Sequence, residues 1–390
     1  MKPLRLGIIG TCGRGVLADL SHTSAEDVNI VAGADASKEM QERFRRRYLD
    51  QHAHNVAVYS NYREMVDQEM LDGVFIASPD FLHEEQACYC LSKGVAVYLE
   101  KPMAITIEGC DRILEAAYRH GAKLMLGHNM RYMAFTNKMK SLIDSGVIGD
   151  VQAIWCRHFI SYGGDAYFRD WHAEQSKATS LLLQKGAHDI DIIHWLAGSY
   201  SVRVSGMGRL SVYDTLPRRV ADSTPETAFN PRHWPPKSQS GFNPIMDVED
   251  HSMILMQLGN GIQACYMQCH YTPDSFRNYT IIGTKGRIEN FGDYKGKCSV
   301  ELWDQRKDRF RLHGDATFCT TPANGTHGGA DKKIVKGFID YLRHGIVPVT
   351  SPQASRYAVA AGYAGAQSIR SGGGAVEIRP LPKELETYQF

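Results

Sequence analysis

The chain reads as an α/β protein in two parts. Residues 1–127 form a doubly wound parallel sheet, and residues 128–390 a second domain on an open, mainly antiparallel sheet. Three observations predict this. Short apolar runs alternate with helical stretches through the first 127 residues, the pattern of repeated strand–helix units. A glycine-rich turn, Gly10-Thr11-Cys12-Gly13-Arg14-Gly15, stands where the first strand gives way to a helix near Val16. Beyond residue 128, longer β-rich runs follow one another across turns such as Gly259-Asn260-Gly261 and Gly283-Thr284-Lys285-Gly286, as consecutive antiparallel strands do.

Taken in order, residues 4–9, 28–34, 73–77, 96–99 and 123–127 are predicted strands of the first domain, with helices over 37–49 and 83–93. A helix over 136–145 ends at Gly146 and opens the second domain. Its predicted strands cover 151–160, 202–212, 250–258, 262–271, 279–282, 286–290 and 299–303. Residues 213–246, rich in Pro, Ser, Asn and Arg, are either a long ordered excursion near a site or a flexible insertion.

Bulk composition excludes several classes. A chain of 390 residues is too long for one simple core. With 44 basic and 43 acidic residues the net charge is +1, so no global field draws it to nucleic acid or a membrane surface. The cluster Arg43-Phe44-Arg45-Arg46-Arg47 reads as a solvated helix face. Nine scattered cysteines form no disulfide-scaffold pattern, which suits a reducing, cytoplasmic setting. The N-terminus runs into a strand without a signal-peptide layout, and no apolar stretch is long enough to span a bilayer. Cys265 and Cys269, followed by His270, invite a metal reading, but the two cysteines stand about 13 Å apart on a strand rising roughly 3.3 Å per residue. No metal is expected.

The chemistry concentrates at Glu100-Lys101-Pro102, which follows the buried run Ala96-Val97-Tyr98-Leu99. Ligands of open α/β sheets bind outside the carboxyl ends of their strands, so Lys101 faces substrate and cofactor. Partial desolvation beside another positive charge would make it a usable proton acceptor. The glycine turn at a helix N-terminus offers free N–H groups to a pyrophosphate. In a G-x-G-x-x-G spacing the second glycine falls on Cys12, which either displaces the phosphate or turns its side chain away while Gly13 takes up the slack. Asp35, at the end of the second strand, suits the ribose hydroxyls of a dinucleotide and repels a 2′-phosphate, favouring NAD over NADP.

With these motifs in order, the chain resembles the glucose–fructose oxidoreductase / inositol dehydrogenase / MocA (Gfo/Idh/MocA) family. Ser78-Pro79-Asp80-Phe81-Leu82-His83 is similar to that family's segment beside the nicotinamide ribose, and Gly127-His128-Asn129-Met130-Arg131-Tyr132 to the start of its second domain. Phe168-Arg169-Asp170-Trp171 resembles its active-site loop, His188-Asp189-Ile190-Asp191 its active-site helix, and the run from Ile282 to Glu289 a strand pair of its large sheet. The resemblance covers nearly the whole chain outside 213–246. It implies an N-terminal Rossmann domain, residues 1–127, and a substrate-binding and oligomerisation domain, residues 128–390. It further implies hydride exchange between NAD and a secondary hydroxyl of a sugar, sugar derivative or inositol, in a homodimer or homotetramer. Lys101 and His188 become the catalytic pair. Gly10, Cys12, Gly13, Arg14, Gly15, Asp35, Ser78, Pro79, His83, Glu100, Lys101 and Asn129 become cofactor residues. Gln184, Trp171, His172 and Arg131 become substrate residues; His128 and Arg131 could touch cofactor phosphate or substrate, or equally cap the domain junction.

One position departs from the family, which commonly carries an acid four residues before the histidine. Here it is Gln184, which on a continuous helix would share a face with His188 but cannot take a proton. Lys185 reads as an exposed or salt-bridged helix-start residue in preference to a second pocket cation. Asp331 reads as the N-cap of a helix, and His327 as turn packing. The loss of the acid and the long 213–246 excursion keep redox-neutral glycoside cleavage with recycled NAD open; a non-enzymatic NAD sensor is a further alternative, against which the retention of Lys101 and His188 argues.

Overall fold

The computed structural model describes residues 2–21, 27–52, 55–221, 223–293 and 296–390. Its first sheet comprises β1 (Leu4–Ile9), β2 (Val28–Ala34), β3 (Ala57–Tyr59), β4 (Gly73–Ile76), β5 (Ala96–Leu99) and β6 (Leu124–Leu126). The strands run parallel in the order β3-β2-β1-β4-β5-β6. This is the doubly wound order, and strand order reverses between β1 and β4, where such sheets bind ligands. Strands β4 and β5 are buried along their whole length, which explains why they read as continuous apolar runs rather than alternating ones. The helix Ile107–His120 shows how local signals set its ends: Thr106 accepts a hydrogen bond from the Gly109 amide, and Gly121 closes the helix at φ 58°.

The second sheet comprises β7 (Val151–Phe159), β8 (Ser201–Arg209), β9 (His251–Leu258), β10 (Gln263–Cys269), β11 (Phe276–Gly283), β12 (Arg287–Phe291), β13 (Cys298–Trp303), β14 (Ala316–Thr320) and β15 (Val376–Glu377). Their order is β14-β13-β12-β11-β7-β10-β9-β8-β15. Neighbours are antiparallel except β7 and β10, which run parallel. Burial alternates along β9, as expected of a sheet with one face covered. Two predicted strands run too long in the sequence. Strand β8 stops at Arg209 because the amides of Ser211, Val212 and Tyr213 turn onto the Asp250 carboxylate, at 3.0, 2.6 and 3.1 Å. Strand β10 stops at Cys269.

The chain divides into two compact units. One holds Met1–Asn129, Gly329–Arg356 and Leu381–Phe390; the other holds Met130–Gly328 and Tyr357–Pro380. The late segments thus return to the first unit, where a linear reading had left them with the second domain. The helix Ala330–His344 does so by packing Phe338 against Phe75 and Tyr98, with ring centroids 5.3 and 5.8 Å apart. Of the two readings of residues 213–246, the described residues of the segment fit the ordered one. Tyr213, Leu216, Phe242 and Met246 enter a buried cluster with Phe168 and Ala173. Arg219 donates to Asn243 Oδ1 at 3.0 Å and to the Arg169 carbonyl at 3.3 Å.

Candidate active site

In the first unit the glycine turn is fixed by sterics. Gly10 has φ +80°, and a Cβ there would stand 2.7 Å from the Ser78 amide nitrogen. A Cβ on Gly15 would meet the Gly10 carbonyl oxygen at 2.0 Å. Only glycine fits at either place. The helix after the turn is a 3₁₀ helix, Gly13–Ser21, starting three residues earlier than the sequence suggests. Asp35 faces the turn and binds it: one carboxylate oxygen accepts from the Thr11 amide at 3.0 Å and its hydroxyl at 3.1 Å, and the other from the Ser37 amide at 3.0 Å. A cavity of 390 Å³ opens here, lined among others by Gly10, Cys12, Asp35, Ser78 and Pro79. Bare backbone on one wall and a carboxylate at the end of β2 fit a dinucleotide. Those five residues, with their neighbours, would hold it.

The remaining cofactor candidates of this unit form the cavity's support. Arg14 gives its guanidinium to Glu100, at 3.0 and 2.8 Å, and to Asp331, at 2.9 and 3.2 Å. Buried Glu100 in turn accepts the Lys101 backbone amide at 3.2 Å, fixing the strand end from which half-buried Lys101 projects. Asn129 donates to Asp331 at 2.7 Å. Asp331 is therefore not the N-cap it was read as; Gly329 occupies that place, and the carboxylate gathers Arg14 and Asn129. His83 is buried with its ring nitrogens 2.8 Å from the Pro102 carbonyl and 2.9 Å from the Ser78 carbonyl. Burial lowers its pKa against the pull of those carbonyls. It ties the loop after β4 to the loop after β5.

In the second unit, Gln184 and His188 lie on two successive helices, Leu181–Gln184 and Gly186–Ala197, separated at Lys185. Gly186 allows the second helix to press on Tyr266, whose ring edge would stand 2.9 Å from a Cβ there. Gln184 is buried and His188 half-buried. Lys185 is not exposed, and among the described residues it has no salt bridge. It is half-buried, its ammonium 5.3 and 5.6 Å from the ring centroids of Tyr162 and Tyr167. Burial alone would depress its pKa, but the two tyrosines outweigh that and raise it. The Tyr162 hydroxyl moves the opposite way: burial pushes its pKa up, yet Lys185 and Arg277 bring it below the ordinary value. Trp171 stacks on His172 at 3.7 Å, and His172 meets Tyr167 edge-on at 5.4 Å. Arg131 is committed internally: buried, it makes a bidentate pair with Asp191 at 2.8 and 2.7 Å.

Behind His188 lies a hub that sequence patterns did not reveal. Asp189 is fully buried and accepts from Arg277 Nε at 2.6 Å, from the Tyr266 hydroxyl at 3.1 Å and from the Tyr279 hydroxyl. His158 Nδ1 faces it at 3.0 Å. Burial favours the neutral acid, but Arg277 and His158 outweigh it and hold the carboxyl well below the usual range. His158 is itself pushed down to about 3 by burial and Arg277, so it is a neutral donor. The signal was present only as period-2 placement: His158, Tyr266, Arg277 and Tyr279 sit on three strands whose pairing brings them together.

A parallel sheet of this order with a glycine cradle, and a second unit on a nine-stranded mixed sheet, define a two-domain NAD-dependent oxidoreductase. Residues 4–128 match the family described as "Oxidoreductase family, NAD-binding Rossmann fold", and residues 140–378 its "C-terminal alpha/beta domain". The chain belongs to the Gfo/Idh/MocA oxidoreductase family. It is 25% identical over 343 residues to YteT of Bacillus subtilis (strain 168), covering 77% of this chain and 80% of that one. With the inositol 2-dehydrogenase of Ralstonia nicotianae (strain ATCC BAA-1114 / GMI1000) it is 32% identical over 148 residues, 38% of this chain and 41% of the relative. Matches of this kind span about half or less of the inositol dehydrogenases' length. In fold it is similar to levoglucosan dehydrogenase in complex with NADH and levoglucosan, at TM-score 0.78 and 20% identity, covering 97% of this chain and 100% of that one.

Proposed function

We propose that the protein transfers a hydride between NAD and a secondary hydroxyl of a sugar, sugar derivative or inositol, with Lys101 and His188 handling the hydroxyl proton. The observation that carries this reading is the clamp on Lys101, whose backbone amide is held by Glu100 and, through it, by Arg14. Bound NAD would supply the hydride acceptor. Hydride loss from a carbinol carbon requires removal of the O–H proton. A neutral Lys101 amine takes it, and the resulting ammonium then stabilises charge on the carbonyl oxygen. His188 is the second residue of this proposal. Gln184 orients substrate without titrating, and the stacked Trp171–His172 pair offers a flat face to sugar C–H surfaces. Asp35 disfavours a 2′-phosphate, so NAD is preferred to NADP. The inositol and levoglucosan dehydrogenases among the similar proteins support a polyol or sugar substrate. A homo-oligomer in a reducing, cytoplasmic setting completes the reading.

The test is NADH absorbance with purified protein, NAD and a panel of sugars, sugar acids, aryl glycosides and inositols. NADH formation with at least one is expected. NAD binding by calorimetry with no turnover across the panel would replace the dehydrogenase by an NAD-sensing protein. The neutral Gln184 favours one second reading, redox-neutral cleavage. It predicts NAD that copurifies and substrate deuterium uptake from heavy water without net NADH.

A further inference from the structure

Lys185 lacks the counter-charge that a partly buried cation ordinarily has. Among the described residues no carboxylate is in ion-pair contact with it; its near neighbours are the tyrosines 162 and 167. The other cation bearing on it, Arg277, is spent on Asp189 at 2.6 Å, with Asp293 at 3.9 Å. His158 and His270 are held neutral by burial, the first at about 3 and the second well below its ordinary value. Gln184, the preceding residue, is neutral where an acid would have balanced the ammonium. Among the described residues, neither the Tyr162 nor the Tyr167 hydroxyl donates to a protein acceptor. An ammonium carries three donors and no acceptor, and each phenol adds one donor. Three side chains therefore converge as donors around one unbalanced positive charge. Such a cluster is complementary to an anion with several lone pairs, and a charge left unpaired in a partly buried site is costly.

We propose that Lys185, Tyr162 and Tyr167 form a subsite for a carboxylate substituent of the substrate, as carried by a uronic acid. The proposal rests on the sugar-directed reading above and narrows it to acidic sugars. The position suits the role. Tyr167 is in edge contact with His172, which stacks on Trp171, so the donors adjoin the aromatic surface proposed for the sugar. Lys185 lies between Gln184 and the helix bearing His188.

The test is calorimetric titration of NAD-loaded protein with D-galacturonate and D-glucuronate, each against its neutral parent, D-galactose and D-glucose. At least one acid should bind about tenfold or more tighter than its parent, a factor equivalent to ~1.4 kcal/mol. Lys185→Met should abolish that preference while leaving the parent sugar within about twofold. Tyr162→Phe and Tyr167→Phe should each reduce it partly. Equal or tighter binding of the neutral sugars, or no binding of either acid, would overturn the subsite. So would equal weakening of acid and parent in Lys185→Met, which would mark a purely structural cation. A tyrosinate absorbance in the free protein at neutral pH, lost in Tyr162→Phe, would also overturn it, since a phenolate would then balance the charge. Because binding is read apart from hydride transfer, selective binding without NADH formation would sink the dehydrogenase reading and leave the subsite standing.

Discussion

Replacing Asp189 by asparagine removes the negative charge that Arg277, Tyr266 and Tyr279 share in the second unit, without changing the side chain's size. Arg277 loses its 2.6 Å contact, and the Tyr266 and Tyr279 hydroxyls meet an amide where they had a carboxylate. Removing one partner of a buried pair costs about 3–5 kcal/mol. Arg277 keeps Asp293 at 3.9 Å, and that carboxylate is partly exposed, so the lower end, about 3 kcal/mol, applies. At about 2–4 °C per kcal/mol for a domain of 150–250 residues, calorimetry at pH 7 should show the second unit melting about 6–12 °C lower. Adding Arg277→Met should recover part of the loss, because the orphaned charge goes with it. A variant melting within about 2 °C of wild type would refute the idea that Asp189 anchors this core and supports the helix that carries His188.

Three further outcomes follow. His158 and His194 are both held at about 3 by burial, below the unfolded value of about 6.5. The unfolded chain therefore binds protons first, and stability should be full above pH 6.5 and fall towards pH 3. The initial loss is about 1.4 kcal/mol per pH unit for each histidine; a melting temperature unchanged between pH 7 and 5 would contradict it. Gly15→Ala forces a Cβ onto the Gly10 carbonyl oxygen, so NADH binding followed by fluorescence should weaken at least about tenfold. Asp35→Asn keeps one acceptor for the Thr11 amide but removes the charge. Unit charges 4 Å apart repel by about 4 kcal/mol at an effective dielectric near 20, so the ratio of NADP to NAD in kcat/KM should rise at least about tenfold; an unchanged ratio would remove Asp35 from cofactor choice.

The parts of this fold written in short-range pattern were legible in the sequence. Buried parallel strands announce themselves as apolar runs, and Gly10 and Asp35 stand at fixed places relative to them. Short edge strands such as β3 and β15 carry too few residues for any period to register, and β14 was missed as well. Side-chain commitments were less legible still. Arg14, a cofactor residue by resemblance, gives its guanidinium to Glu100 and to Asp331, the latter more than three hundred residues away in sequence. Arg131 belongs to Asp191 in the same way. A helix-start lysine is ordinarily solvated, and only the tertiary approach of the Tyr162–Tyr167 segment sets the Lys185 ammonium against two aromatic rings. Spacing predicts which backbone is where; it does not say which charges will already be spent.

Lys101 is the group proposed to take the substrate's proton. With any substrate that yields NADH, Lys101→Met should lower kcat/KM by about 10²–10⁴-fold while NAD affinity, measured separately by calorimetry, stays within about twofold. Turnover retained at the wild-type rate, with its pH profile unmoved, would contradict it.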